Sequence, residues 1–297
     1  MTPLVFAHDS LAHVWWQWTF EPVTVALLLL STVLYALGVR AAWRQAGRGA
    51  GFRWWQVAAF AAGILSLVIA QVSPLAWLSD VLFSAHMTQH EILMLIAAPL
   101  LVLGQPLLAF LWALPATRRT AVARWIRRPA IARSWHTLTG PFVVFVLHAL
   151  ALWIWHVPFL FEAALASEAV HFVQHMCFLV TAALFWWAMV HGRYGRLGYG
   201  VAILYVFMTA LHSTILGALL TVAPRTWYAS YERTAAEWRL DALADQQLAG
   251  LIMWVPSGVA FLVIGLALAA AALGESERRV ALGVTAPAAP SRGHDGR

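Results

Sequence analysis

The stretch His86-Met87-Thr88-Gln89-His90-Glu91-Ile92-Leu93-Met94-Leu95-Ile96-Ala97-Ala98-Pro99-Leu100-Leu101-Val102-Leu103-Gly104 joins a doubly histidine-bearing opening to a long apolar run. About 20 mostly apolar residues suffice to cross the hydrocarbon of a bilayer, so the run reads as a membrane span. The opening recurs as His171-Phe172-Val173-Gln174-His175, again leading into an apolar run. A helix turns about 100° per residue, so each histidine pair lies on one helix face, one turn apart. Ionisable side chains inside a membrane are costly, and four of them at this spacing call for a shared partner.

Composition agrees with a membrane protein. Of 297 residues, 62% are hydrophobic and only 11% charged, and the mean hydropathy is +0.73; a soluble domain does not reach these values. Seven spans follow, at 23–42, 54–72, 84–110, 139–157, 169–190, 199–220 and 246–273, giving an all-α integral membrane protein. Pro99, Gly104 and Pro106 predict a kink or unwinding in the second half of the third span, with a partly re-entrant inner end. Residues 1–22 read as an extracytoplasmic N-terminal segment without a cleavable signal peptide, 23–273 as the membrane domain, and 274–297 as a disordered cytoplasmic tail.

All 19 basic residues are arginine. Those after spans one, three and five and in the tail number sixteen, against Arg225, Arg233 and Arg239 on the other side. Short cytoplasmic loops hold the positive charge, so the N-terminus is placed outside and the C-terminus inside. Tryptophans support two interfacial belts, with Trp15, Trp16, Trp18, Trp77, Trp153, Trp155 and Trp227 outside and Trp43, Trp54, Trp55, Trp112, Trp186 and Trp187 inside. The arginine-rich segment 113–138 reads as lying on cytoplasmic lipid. The basic charge therefore belongs to lipid contact and topology, and leaves no domain for nucleic acid.

At about 1.5 Å per residue, span direction sets the depth of each histidine. His86, His90, His171, His175, His156 and His212 fall in the outer half, together with Asp241 and Asp245 at the start of span seven. His148 lies roughly 12 Å deeper than His156. The four paired histidines form the candidate metal or haem ligands, joined by His156, His212 and Asp245. Asp245 reads as a ligand, an acceptor that orients an imidazole or an interfacial carboxylate at a helix N-terminus, the second being preferred. Met87, Met94 and Met176 place thioethers near the imidazoles, a combination that favours copper, though methionine also serves as apolar filler. Cys177 stands alone, so no thiolate cluster forms.

These residues resemble the CtaG-type cytochrome c oxidase assembly factors associated with caa-type oxidases in bacteria. The likeness is carried by His86-Met87-Thr88-Gln89-His90 with Ala98-Pro99-Leu100-Leu101-Val102-Leu103-Gly104-Gln105-Pro106, by Trp155-His156-Val157-Pro158, by His171-Phe172-Val173-Gln174-His175, and by Asp245-Gln246-Gln247-Leu248-Ala249-Gly250-Leu251-Ile252-Met253-Trp254. It extends from about residue 15 to 272. The resemblance implies a factor of the bacterial plasma membrane that matures a haem-copper oxidase of the respiratory chain. Its partners would be oxidase subunits and an extracytoplasmic copper chaperone.

Three readings compete: a copper-binding assembly factor, a haem-binding electron-transfer protein with axial histidines, and a scaffold for oxidase subunits whose histidines only cement helices. No enzymatic reading is favoured. A retinal Schiff base needs a lysine, which the chain lacks, and neither His-Glu-x-x-His nor Gly-x-Ser-x-Gly occurs.

Overall fold

The computed structural model describes residues 13–49, 51–191, 198–238 and 240–281. Arg193, Arg196 and Arg239 of the charge count, residues 1–12 of the N-terminal segment and residues 282–297 of the tail lie outside the described residues.

The described residues are all-helical. Proline opens many of the elements, where its missing N–H goes unneeded and its fixed φ suits the first turn. Helix α1 (Pro22–Ala46) begins this way, with Glu21 accepting from the Val23 and Thr24 amides at 3.0 and 2.5 Å. Helix α2 (Trp54–Gln71) and the short α3 (Pro74–Ser79) follow. The third span comprises α4 (Phe83–Glu91), a π-helical turn (Ile92–Ala97) and α5 (Ala98–Gly104). Then come α6 (Pro106–Ala113), α7 (Ala116–Ile126), α8 (Pro129–Leu138), α9 (Pro141–Trp155) and α10 (Pro158–Ala166). The chain closes with α11 (Glu168–His191), α12 (Tyr199–Val222), α13 (Ala229–Glu237) and α14 (Ala242–Ala281).

Six helices among the described residues are long and apolar enough to cross a membrane: α1, α2, the Phe83–Gly104 unit, α11, α12 and α14. A seventh arises if α8 and α9, bent by 58° at their junction, form one span. Helix α9 alone has 15 residues, about 22 Å at the helical rise and short of a bilayer's hydrocarbon. Helices α7 and α8 bury no residue, in keeping with the surface-lying segment expected at 113–138. The last helix continues through Gly274 to Ala281, into the stretch read as disordered tail.

The expected irregularity in span three takes two forms. Over Ile92–Ala97 the helix widens into a π turn, so that the Ala98 amide donates to Leu93 O instead of Met94 O. The freed Met94 carbonyl accepts from Trp186 Nε1 of α11 at 2.8 Å. At Gln105 the backbone turns left-handed, φ 54°, and α6 sets off from Pro106; a residue before proline avoids the right-handed helical region. Helix α6 then packs on α1 so closely that a Cβ on Gly38 would stand 1.9 Å from Ala109 O. Tyr35 locks the same corner, stacking on Phe60 with centroids 3.7 Å apart and donating to Gly104 O at 2.9 Å. On the other side, α12 and α14 meet through small residues, and a Cβ on Gly250 would lie 2.4 Å from Thr221 Oγ1. Span three runs through the middle of this arrangement. Half of its apolar window is buried, against 17% for α1, so its polar face meets protein instead of lipid.

Candidate functional site

The connectors after α2, α9 and α12 contribute α3, α10 and α13, which interlock over one end of the bundle. Tyr231 and Thr234 of α13 donate to Ser79 O and Val81 O at 2.8 Å each. Tyr228 donates to His156 O at 2.9 Å. Glu162 of α10 accepts from the Ser230 amide at 3.0 Å and from its hydroxyl. Beneath them Phe83, Phe161, Tyr228 and Tyr231 form an aromatic layer, with Phe161 and Tyr228 stacked at 4.2 Å. Directly below lie the histidines.

The two His-x-x-Gln-His motifs meet level by level. Ring centroids of His86 and His171 are 5.2 Å apart, and those of His90 and His175 are 5.0 Å apart. Within each helix the paired rings stand at 4.3 Å (His86 and His90) and 4.1 Å (His171 and His175). One ring nitrogen each from His86, His171 and His175 lies within 4.8 Å of the other two. A triangle with edges no longer than 4.8 Å puts its centre about 2.8 Å or less from each nitrogen, so an ion there would need each nitrogen to move in by up to about 0.8 Å to reach the usual bond of about 2.0–2.1 Å. His90 sits below this triangle with neither ring nitrogen hydrogen-bonded, and His156 flanks it with centroids 6.3 Å away.

Buried polar atoms normally find partners. Here the Nε2 atoms of His86, His90, His156, His171 and His175 are buried and unpartnered. The opposite ring nitrogens explain the orientation of several rings. Tyr231 has one hydroxyl hydrogen; given to Ser79 O, it leaves the oxygen to accept from His86 Nδ1–H at 3.0 Å. His86 Nε2 is thereby the lone-pair nitrogen. His156 Nδ1 likewise donates to Leu152 O at 2.7 Å. The Gln71 amide reaches His175 Nδ1, with Nε2 at 2.8 Å and Oε1 at 3.1 Å. Gln89, between the histidines of its own motif, donates to Ala70 O at 2.6 Å and ties α4 to the end of α2. Such outer contacts fix tautomer and ring direction at metal sites, and unsatisfied nitrogens converging from two helices fit a metal ion.

His86, His90, His156 and His175 are buried. His171 faces a groove of about 860 Å³ whose wall includes Gln71, Asp80, Gln89, Glu168 and His175. Burial raises the Asp80 carboxyl, and the neighbouring Glu168 raises it further. The Tyr231 phenol is pushed well above its ordinary value by burial first and by Asp80 next, so it stays a neutral hydroxyl.

Two predicted site residues stand elsewhere. Asp245 does not join the histidines: its carboxylate accepts from the Phe83 amide at 2.7 Å, the Ser84 amide at 3.4 Å and the Ser84 hydroxyl. It caps the N-terminus of α4 and does not orient an imidazole, the role preferred from the sequence; a carboxylate suits the positive end of a helix. His212 does not join the cluster either: its ring stands 6.2 Å from that of His148, eight residues along α9 from His156 and so about 12 Å away from the cluster's level. Met87 and Met94 pack in the core with Phe83, Phe161 and Phe178, and Met176 lines the groove. Tyr231, Gln71 and Ser79 escaped the sequence reading. Of these only Gln71 leaves a trace, as a polar residue ending an apolar run.

The chain aligns over 251 residues, 82% of its length, with uncharacterized proteins of Mycobacterium bovis and Mycobacterium tuberculosis at 28% identity. An uncharacterized protein of Mycobacterium leprae is 26% identical over 262 residues. The matched part covers only 38–39% of the length of these relatives. No solved structure matches the chain. The model of the cytochrome c oxidase caa3 assembly factor family (Caa3_CtaG) matches residues 33–274, which hold every histidine of the cluster. The chain belongs to the cytochrome c oxidase caa3 assembly factor family.

Proposed function

We propose that the protein handles copper for the maturation of a haem-copper oxidase, receiving the ion at the histidine cluster and releasing it to an oxidase subunit. The observation that carries this reading is the set of three imidazole nitrogens within 4.8 Å of one another, on His86, His171 and His175. Their Nε2 atoms are buried without partners. An all-imidazole donor set suits copper, zinc, iron or nickel, and excludes the oxygen-seeking calcium and magnesium as natural cargo. Within that group the family's link to an oxidase favours copper.

The surroundings support transfer over permanent storage. His171 lies at the groove, while His90 and His156 offer further unpartnered nitrogens behind the triangle. Alternative donors let an ion exchange without ever being fully released. Rings packed 4.1 to 5.2 Å apart leave no slab between them for a haem macrocycle. The capped end carries Arg225 and Arg233 alone of the described arginines, and by the charge rule this supports reading it as the extracytoplasmic end in a bacterial plasma membrane. A copper chaperone could reach it there. The Asp80 and Glu168 carboxylates beside His171 would attract a cation to the groove.

Elemental analysis and an optical spectrum of protein purified in mild detergent test this. Wild type should carry copper and show no Soret band, and the His86→Ala/His90→Ala/His171→Ala/His175→Ala variant should lose a copper equivalent while keeping its helical content. Unchanged copper in a folded variant would exclude the cluster as the site, and a Soret band would favour haem.

A further inference from the structure

We infer that the His148–His212 pair is a second metal site, which takes a monovalent copper ion between two imidazoles. It lies in the hydrophobic interior between α9, α11 and α12, about 12 Å along α9 from His156 at the helical rise. The inference shares with the preceding reading only the identity of the ion.

The state of His148 follows from hydrogen bonds. Thr181 Oγ1 donates its one hydrogen to Cys177 O at 2.8 Å, the nearer of two carbonyls one turn back. The oxygen therefore accepts from His148 Nδ1–H at 3.1 Å. By this tautomer His148 Nε2 is the lone-pair nitrogen. Across from it, both ring nitrogens of His212 are buried with no partner. Each such orphan costs about 1–3 kcal/mol, and an ionisable residue held in a span at that cost marks a functional site.

The separation matches one ion. A metal–imidazole bond is about 2.0 Å and a ring nitrogen lies roughly 1.1 Å from its centroid, so linear coordination sets the centroids about 6 Å apart. The observed distance is 6.2 Å. Rotation about the nitrogen–metal–nitrogen axis is unconstrained in such an arrangement, and the 72° between the ring planes is compatible with it.

The donor count selects the ion. Zinc and other divalent ions require four or more donors, and no carboxylate hydrogen-bonds either ring among the described residues. Two neutral nitrogens suit an ion of single charge and low coordination number. Phe145 packs on His212 at 5.5 Å and Phe185 on His148 at 6.1 Å. Phenylalanine rings supply no donor that could complete the shell of a divalent ion.

Full-length protein in detergent, titrated anaerobically with copper(I) against a chromophoric chelator, tests the site, with the copper K-edge spectrum as a second readout. The four-alanine variant of the outer cluster should retain one copper(I) with the edge feature of two-coordinate copper, and adding His212→Asn should abolish it. In the wild-type background, His212→Asn or His148→Gln should remove one equivalent and leave the outer copper. Thr181→Val, which frees the His148 tautomer, should weaken the inner site about 10–100-fold. If the folded four-alanine variant binds no copper(I) while wild type does, the second site is refuted and the outer one stands. If the folded four-alanine variant binds as much copper(I) as wild type and loses all of it with His212→Asn, the second site stands and the outer one falls. Binding in none of the proteins refutes both. Should the four-alanine variant fail to fold, His212→Asn alone decides, since unchanged stoichiometry overturns the inference.

Discussion

Replacing Tyr231 by phenylalanine removes one oxygen and strands two buried groups. The hydroxyl donates to Ser79 O at 2.8 Å and holds His86 Nδ1 at 3.0 Å, while its ring packs against Phe83 with centroids 5.3 Å apart. The ring contacts persist in Tyr231→Phe. What is lost is an acceptor for an N–H and a donor for a carbonyl, each worth about 1–3 kcal/mol when left unsatisfied in a buried place. Partial relaxation of the cap reduces the total, so the fold should lose about 2–4 kcal/mol. A separate loss falls on the metal. Without the tyrosine, His86 is free to carry its proton on Nε2, the unpartnered nitrogen otherwise left to bind the ion, and loss of such an orienting contact weakens binding about 10–100-fold. Competitive copper(I) titration reads the second effect and thermal unfolding the first. The affinity loss should vanish in a His86→Ala background, because no tautomer remains to be set. Unchanged affinity in folded Tyr231→Phe, or an equal loss with and without His86, would refute the assignment of Tyr231 as a positioning residue.

Asp245→Asn should leave copper stoichiometry at the wild-type value while lowering the melting temperature, with a loss of about 1 kcal/mol for the weakened cap on α4; loss of copper would return Asp245 to the ligand set. Gly38→Ala forces a methyl into Ala109 O and should cost about 3 kcal/mol or more by prising α6 from α1, read as a lower melting temperature. For Asp80, burial and Glu168 raise the carboxyl pKa in the folded protein, so folding is favoured by protonation and this contribution fades as pH rises from the unfolded value through the folded one. Asp80→Asn should accordingly melt higher than wild type at neutral pH, and the difference should close on acidification toward the ordinary carboxylate range. A constant difference across that interval would refute it.

The spans were legible because apolar length and proline openings are local signals: α2 and α11 begin and end within a residue of the expected 54–72 and 169–190. The histidine pairs were legible for the same reason, since four-residue spacing fixes a shared face before any partner is known. What failed to show were contacts between distant parts of the chain. Tyr231 and His86 are 145 residues apart, Gln71 and His175 104, and nothing in the local pattern of either member points to the other. His212 was grouped with the outer histidines, but its ring meets His148 instead, one level away from the cluster. Asp245 had three chemically sound roles, and only the position of α4's first amides separates them. Pro99, Gly104 and Pro106 pointed to a kink or unwinding in the second half of the span, and the π turn lies just before Pro99, over Ile92–Ala97.

That turn has a consequence for timing. Two parallel helices can slide past one another in steps of about 1.5 Å per residue, and a slip of that size would unmatch the two histidine motifs. The Met94 carbonyl, released from the helical ladder and gripped by Trp186, pins α11 to span three one turn below His90. The vertical register of the rings is thus set when the helices dock, before any ion arrives. If the cluster takes an ion as proposed, capture would require only small ring rotations, with little of the binding energy spent on ordering the ligands.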